Sequence, residues 1–309
     1  MDLVICFKDK NEAPWKQALE VALPGVRVYA HGKVPNASRV SMALCWYPDK
    51  NLFSQYPNLK LIQSVGAGVD HLFGLDPAPT TVRIARIVDS TLSRDMYEFT
   101  LAIVLDQMKN LSKYWVDKAS KVWEPRPYKR IEETKIAIIG LGKIGAELAI
   151  SFSRLGFIVS GYSSSDKVLA NVDTYYGIDQ LELALLNADF VVNILPLTRS
   201  TKGFFDLSFF RLCKKEAFFI NVGRGAHLVE DDLEAAIGEQ RISGAFLDVF
   251  AEEPLPQDHF FWSNPSIRIS PHVAAVTNTK SAVQQIAENY KRTESGMAPL
   301  NEVSLHKGY

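Results

Sequence analysis

Short apolar runs rich in β-branched and aromatic residues alternate along the chain with longer stretches whose apolar positions recur at helical spacing. This rhythm predicts an α/β protein with parallel strands, each followed by a crossover helix. The N-terminal part offers strands at Leu3–Phe7, Val26–Tyr29, Met42–Trp46, Leu59–Gln63 and Val82–Ile87. From Met96 to Trp123 neither Gly nor Pro occurs, and Phe99, Ile103, Leu105 and Met108 keep mostly helical spacing, which predicts one long linking helix that Pro125 and Pro127 stop. A second series follows at Lys135–Ile139, Phe157–Gly161, Phe190–Ile194, Ala217–Asn221, Gly244–Asp248 and Ile267–Ser270. Strands so separated by helical stretches describe a doubly wound sheet. A final helix over Thr279–Arg292 is expected to return to the first domain. The expected division is therefore a first domain over 1–99, a second over 100–274 and a return of 275–309 to the first.

The strand Lys135–Ile139 runs straight into Gly140-Leu141-Gly142-Lys143-Ile144-Gly145, a G-x-G-x-x-G, and then into a helical pattern. In that context Gly140 makes the tight turn, Gly142 admits a pyrophosphate and Gly145 lets helix and strand approach. The phosphate would sit on the helix N-terminus, where free N–H groups and the dipole favour an anion. Ile144, Leu148, Phe152 and Leu155 share one helical face, and Gly156 is a good stop. The second strand should end in an acid if the adenosine ribose keeps a free 2′-hydroxyl. Here Ser163-Ser164-Ser165-Asp166-Lys167 stands instead. Three hydroxyls and a lysine suit a 2′-phosphate, although Asp166 opposes it, so NADP is favoured over NAD.

Ligands of doubly wound sheets bind beyond the carboxyl ends of the strands, which directs attention to the residues just after each one. Leu195-Pro196-Leu197-Thr198 forms an apolar shelf, Val222-Gly223-Arg224-Gly225 holds an arginine between glycines, and the last two strands lead to Asp248…Glu252-Glu253 and Ser270-Pro271-His272. Each of these residues also suits an ordinary loop; their joint placement after three strands of a dinucleotide-binding sheet points to reduction of a 2-oxo acid. Arg224 would hold the substrate carboxylate with its donor fork. His272 would protonate the carbonyl oxygen as hydride reaches carbon. Glu253, with Glu252 as its adjacent rival, would bond the other imidazole nitrogen and fix the ring.

Composition narrows the field. The chain has 309 residues, 47% hydrophobic and 22% charged, enough for two domains. A net charge of -1 supplies no field to gather nucleic acid or an anionic membrane. Cys6, Cys45 and Cys213 are odd in number and widely spaced, which fits reduced thiols in a cytoplasm better than a disulfide framework or a metal site. No apolar run reaches the roughly 18 residues that span a bilayer, and the N-terminus has no leader pattern. The expectation is a soluble, unprocessed protein.

Taken together the motifs resemble the D-isomer-specific 2-hydroxyacid dehydrogenases, and more closely their glyoxylate/hydroxypyruvate reductase A group. The matching runs are Ser64–Asp70, the Gly140–Gly145 loop, Asn193–Thr198 with Thr201 and Gly203, Asn221–Gly225, Leu247–Phe250 with Glu253–Pro256, and Ser270–Ala275. The resemblance implies a Rossmann nucleotide-binding domain with a smaller flavodoxin-like substrate domain, and a catalytic set of Arg224, Glu253 and His272. It implies a nicotinamide carboxamide contact at Asp248, and cofactor contacts also at Ser163, Ser164, Leu195, Pro196, Thr201 and Val222. It places the substrate carboxylate on backbone N–H groups of the Val65-Gly66-Ala67 turn, with Trp46 as a wall of the pocket. The closer match rests on Trp46, on the ending Lys307-Gly308-Tyr309 and on the missing acid of the cofactor loop. NADPH-preferring relatives of this group carry an arginine where Ser164 stands. A homodimer is implied, joined through the nucleotide domain and the linker helices, with Trp123 a candidate contact. The same chemistry on another acid such as D-lactate, or a non-catalytic dinucleotide-sensing regulator, are the other readings.

Overall fold

The computed structural model describes residues 1–75 and 81–303. The chain opens with β1 (Asp2–Phe7), α1 (Ala13–Ala22), β2 (Val28–Ala30), β3 (Val40–Trp46), α2 (Leu52–Gln55), β4 (Leu61–Ser64) and β5 (Arg83–Ala85), followed by α3 (Ser90–Lys109) and α4 (Leu111–Ala119). Next come β6 (Lys135–Ile139), α5 (Lys143–Leu155), β7 (Ile158–Ser163), β8 (Asp173–Tyr176), α6 (Leu181–Leu185) and β9 (Phe190–Asn193). The series ends with α7 (Leu207–Leu212), β10 (Ala217–Asn221), α8 (Glu230–Gly238), β11 (Ile242–Leu247), β12 (Ile267–Ile269) and α9 (Thr279–Glu294). No helix among the described residues is long and apolar enough to cross a membrane.

The chain divides into one unit of residues 1–91 with 277–309 and another of 92–276. The boundaries differ from 99/100 and 274/275 for a packing reason. Met96 of α3 is buried in a core cluster of the second unit, and Tyr97, Phe99 and Ala275 pack against it, so these segments count with it.

The first unit holds a parallel sheet in the order β2-β1-β3-β4-β5, a flavodoxin-like arrangement. Its strands are largely apolar because both faces are covered. In β1, Leu3 and Ile5 join one cluster with Trp15 and Leu19 of α1 and Ile286 and Tyr290 of α9, while Val4 and Cys6 join the other.

The second unit holds a seven-stranded parallel sheet in the order β12-β11-β10-β9-β6-β7-β8. Its strand order reverses between β6 and β9, the point at which doubly wound sheets open a crevice. The seventh strand, β8, was not among the six expected. It is a polar, partly exposed edge strand, Asp-Thr-Tyr-Tyr, paired only with β7, and it lacks the apolar run that marks its buried neighbours. The single linker helix is also two. Asn110 adopts φ 58°, a left-handed conformation asparagine tolerates, and ends α3 before α4 begins. The Asp106 carboxylate then takes the Ser112 N–H (3.1 Å) and hydroxyl (2.7 Å) across the break.

Candidate active site

The glycine loop is built as its spacing requires. Gly140 has φ +117°, and a Cβ there would meet the Ile194 carbonyl oxygen at 2.8 Å. At Gly145 a Cβ would fall 1.8 Å from the Gly140 oxygen, so only glycine lets α5 start this close to β6. Gly142 differs: nothing lies within 4 Å of its Cβ position, leaving open space above the loop. It is the N-cap of α5 with no side-chain cap. The first helical bond closing on it comes from Ala146 N–H, so among the described residues Lys143, Ile144 and Gly145 keep N–H groups without a protein acceptor. Open space over free N–H groups at the dipole's positive end fits a pyrophosphate.

The side chains of the other expected cofactor residues divide. Leu141 is buried over Gly161, Val222 is buried, and Ile144 packs on the same core, so these contribute main chain and packing. Leu155 is instead 43% exposed at the last turn of α5, outside the face it was expected to share. The strand β7 ends at Ser163 without an acid. Ser163 is buried and its hydroxyl donates to the Ser165 carbonyl (2.6 Å), whereas Ser164 is exposed. Thr201 fastens the Leu195–Thr198 shelf: its hydroxyl donates to the Pro196 carbonyl (2.7 Å) and accepts from the Thr198 N–H (2.8 Å).

Beyond β11 and β12 the structure joins Glu253 to His272, with Glu253 Oε2 2.8 Å from His272 Nδ1. The second carboxylate oxygen, Oε1, accepts the Phe250 N–H (3.0 Å), whereas the adjacent Glu252 is exposed. Desolvation pushes the Glu253 carboxyl up, but the bonds from His272 and the Phe250 N–H, with the nearby charges of His272 and Arg224, together hold it below its ordinary value. With Nδ1 engaged, Nε2 of His272 has no protein partner among the described residues. His272 sits at φ 55°. That sparsely populated conformation is held by Asp248, whose carbonyl accepts the His272 N–H (2.8 Å) and whose buried carboxylate accepts the Ser270 hydroxyl (2.5 Å) and the Val273 and Ala274 N–H groups (both 2.9 Å). Both Asp248 oxygens thus organise the histidine loop, a task its expected carboxamide contact does not describe. Arg224 is partly buried, and its Nη1 donates to the Gly223 carbonyl (2.8 Å).

In the first unit, Trp46 ends β3, and its Cζ3 lies 3.1 Å from where a Cβ of Gly66 would stand. Glycine there makes room for the indole. The N–H groups of the neighbouring turn are unequal. Val65 N–H donates to the Cys45 carbonyl (3.1 Å) and Gly66 N–H to the Ser64 hydroxyl (3.1 Å). Of the three expected donors, only the Ala67 N–H has no acceptor among the described residues. The ending Lys307–Tyr309 lies outside the described residues.

The profile of the D-isomer specific 2-hydroxyacid dehydrogenase NAD-binding domain matches residues 101–274. A glyoxylate/hydroxypyruvate reductase A of Photorhabdus laumondii is 33% identical over 315 residues, covering 100% of both chains. The chain belongs to the D-isomer specific 2-hydroxyacid dehydrogenase family. Solved members share its fold over the full length. One from Xanthobacter autotrophicus, in complex with NADPH and MES, is 34% identical with a TM-score of 0.95, covering 100% of this chain and 99% of that one. An NADPH-dependent glyoxylate/hydroxypyruvate reductase from Sinorhizobium meliloti, in complex with NADP and sulfate, is 30% identical with a TM-score of 0.93 and the same coverage.

Three buried polar residues of this dehydrogenase were given no role in the sequence: Asn193 and Asn221 only open two of the matching runs, and His227 lies outside them. Asn193 ends β9, Asn221 ends β10, and His227 follows Arg224 by three positions; all three are fully buried. The signal available was a polar residue closing an otherwise apolar strand, which an uncharged amide makes easy to pass over.

Proposed function

We propose that the protein reduces small 2-oxo acids, glyoxylate and hydroxypyruvate above all, to glycolate and D-glycerate, with NADPH favoured and NADH as the alternative. The 2.8 Å contact between Glu253 and His272 carries this reading. It fixes the ring, leaves Nε2 for the substrate oxygen and places an ionised carboxylate behind the imidazolium, the arrangement a proton donor to a carbonyl requires. A bound nicotinamide supplies the hydride for the carbonyl carbon. His272 gives its proton from Nε2 to the carbonyl oxygen, and Arg224 holds the carboxylate with its planar fork. The NADPH preference is supported by the end of β7 at a serine where an acid would favour NAD, and by the NADPH and NADP complexes of the two solved relatives.

The expected partners are the small acid and a second copy of the chain, in a reducing cytoplasm that suits three free cysteines. Trp115 and Val116 of α4 are 73% and 66% exposed and Trp123 is 98% exposed, an apolar surface that supports a homodimer. Light scattering at micromolar concentration tests this, and a monomer refutes it. The decisive experiment for the chemistry is His272→Phe, which should lose turnover while retaining NADPH affinity; wild-type turnover removes His272 from the mechanism.

A further inference from the structure

Arg224 is held by its own backbone as well as by its neighbours. Its N–H donates to His227 Nδ1 (3.1 Å) and its carbonyl accepts from Asn221 Nδ2 (3.2 Å). Asn221 Oδ1 accepts from the Gly223 N–H (3.2 Å) and from Asn193 Nδ2 (2.8 Å), and Asn193 Nδ2 also lies 3.0 Å from His227 Nδ1. Asn193 Oδ1 in turn accepts the Leu195 N–H (2.9 Å). Each amide oxygen takes a backbone N–H, so neither carboxamide can be turned over without losing a bond. The imidazole faces two donors at Nδ1, which therefore carries the lone pair, with the ring proton on Nε2. The flanking glycines complete the grip. A Cβ at Gly223 would stand 2.9 Å from Asn193 Nδ2, and one at Gly225 would stand 1.8 Å from the Phe250 carbonyl carbon.

Burying three polar side chains costs desolvation that apolar residues of similar size would avoid, and hydrogen bonds that converge on one stretch of main chain return a single fixed arrangement of it. We infer that His227, with Asn193 and Asn221, is a positioning device that sets the main chain of Arg224 and thereby aims its guanidinium at the substrate carboxylate. This rests on the role proposed for Arg224.

The test compares His227→Leu with His227→Asn in the full-length enzyme. The Asn Oδ1 stands where Nδ1 stood and keeps the acceptor; Leu fills the volume better and removes it. The readouts are binding of oxamate, a carboxylate probe that is not reduced, to the NADPH complex by quenching of nicotinamide fluorescence, and steady-state reduction of glyoxylate. H227L should weaken oxamate and lower kcat/KM for glyoxylate by at least about tenfold, since small misplacements of an orienting group cost this much. NADPH affinity should stay within about twofold, and H227N within about threefold of wild type on every readout. Thermal unfolding should rank the two variants the other way, Leu at or above Asn. Oxamate affinity that follows Tm, or equal damage in both variants, overturns the inference. In an Arg224→Ala background H227L should cost oxamate binding less than about twofold more, as expected of residues acting through one group; the same tenfold loss there also overturns it. His227→Met replaces H227L if the latter does not fold. A wild type that binds no oxamate and reduces no 2-oxo acid defeats the catalytic reading and this inference together. Normal wild-type activity with an unaffected H227L defeats the inference alone.

Discussion

The glycine loop yields a prediction whose two halves oppose each other. A methyl at Gly145 would stand 1.8 Å from the Gly140 oxygen and 2.9 Å from Ile194 Cγ2. Gly140 has no room to retreat, because its own Cβ position is closed by the Ile194 carbonyl at 2.8 Å. Gly145→Ala must therefore lift α5 from β6. Overpacking of this kind costs about 1–3 kcal/mol, on the order of 5 °C in Tm for a unit of this size. The same displacement moves the Lys143, Ile144 and Gly145 N–H groups, and a loss of about 1.4 kcal/mol there weakens NADPH about tenfold. Gly142→Ala meets nothing within 4 Å. It should leave Tm within about 1 °C, as an unobstructed substitution does, yet still weaken NADPH because the methyl enters the space assigned to the pyrophosphate. Thermal unfolding by circular dichroism and titration with NADPH by fluorescence separate the two effects. A Gly145→Ala protein with wild-type Tm and affinity, or equal Tm losses in both variants, would refute the packing argument.

Other outcomes follow from the same geometry. His272→Phe should lower kcat by about 10²–10⁴, the usual worth of a general acid, and intact turnover would exclude the role. Arg224→Lys loses the planar fork, so KM for glyoxylate should rise by about tenfold or more; unchanged kinetics would place the carboxylate elsewhere. The Glu253 carboxyl is held below its ordinary value of 4.5, so its carboxylate is ionised above that value and is lost only as pH falls through the lower folded one. The Glu253-dependent acid limb of kcat/KM should accordingly lie below pH 4.5, and a limb above it would contradict the assignment. Asp189 is likewise held low: burial raises its carboxyl, but Lys129 (2.7 Å), Lys214 (2.5 Å) and the Lys135 N–H (3.0 Å) outweigh it. Its contribution is present at neutral pH and fades in acid, and Asp189→Asn should cost about 1 kcal/mol at pH 7 after solvent screening. Equal denaturant midpoints at neutral pH would show that the lysines contribute nothing there.

The sheets were legible in sequence wherever burial on both faces left continuous apolar runs, as in Leu3–Phe7 and Ala217–Asn221. The edge strand β8 was not, because a partly exposed strand is free to be polar. The break at Asn110 was missed because one left-handed residue leaves the spacing around it helical. The site divides in the same way. Arg224, Glu253 and His272 follow strand ends, a position that one-dimensional reading can find. Glu253 was preferred to Glu252 in sequence, and the 2.8 Å bond to His272 is what only the folded chain displays. The clamp of Asn193, Asn221 and His227 is a set of contacts between residues 28 and 34 positions apart, invisible until the strands are laid side by side.

The central claim is that the described residues perform hydride reduction of a small 2-oxo acid with NADPH. Steady-state oxidation of NADPH and of NADH by the purified protein, each with glyoxylate, hydroxypyruvate and pyruvate, tests it most directly. The account predicts fastest NADPH oxidation with the first two acids. No turnover with any pair, in a protein that still binds the dinucleotide tightly, would contradict it.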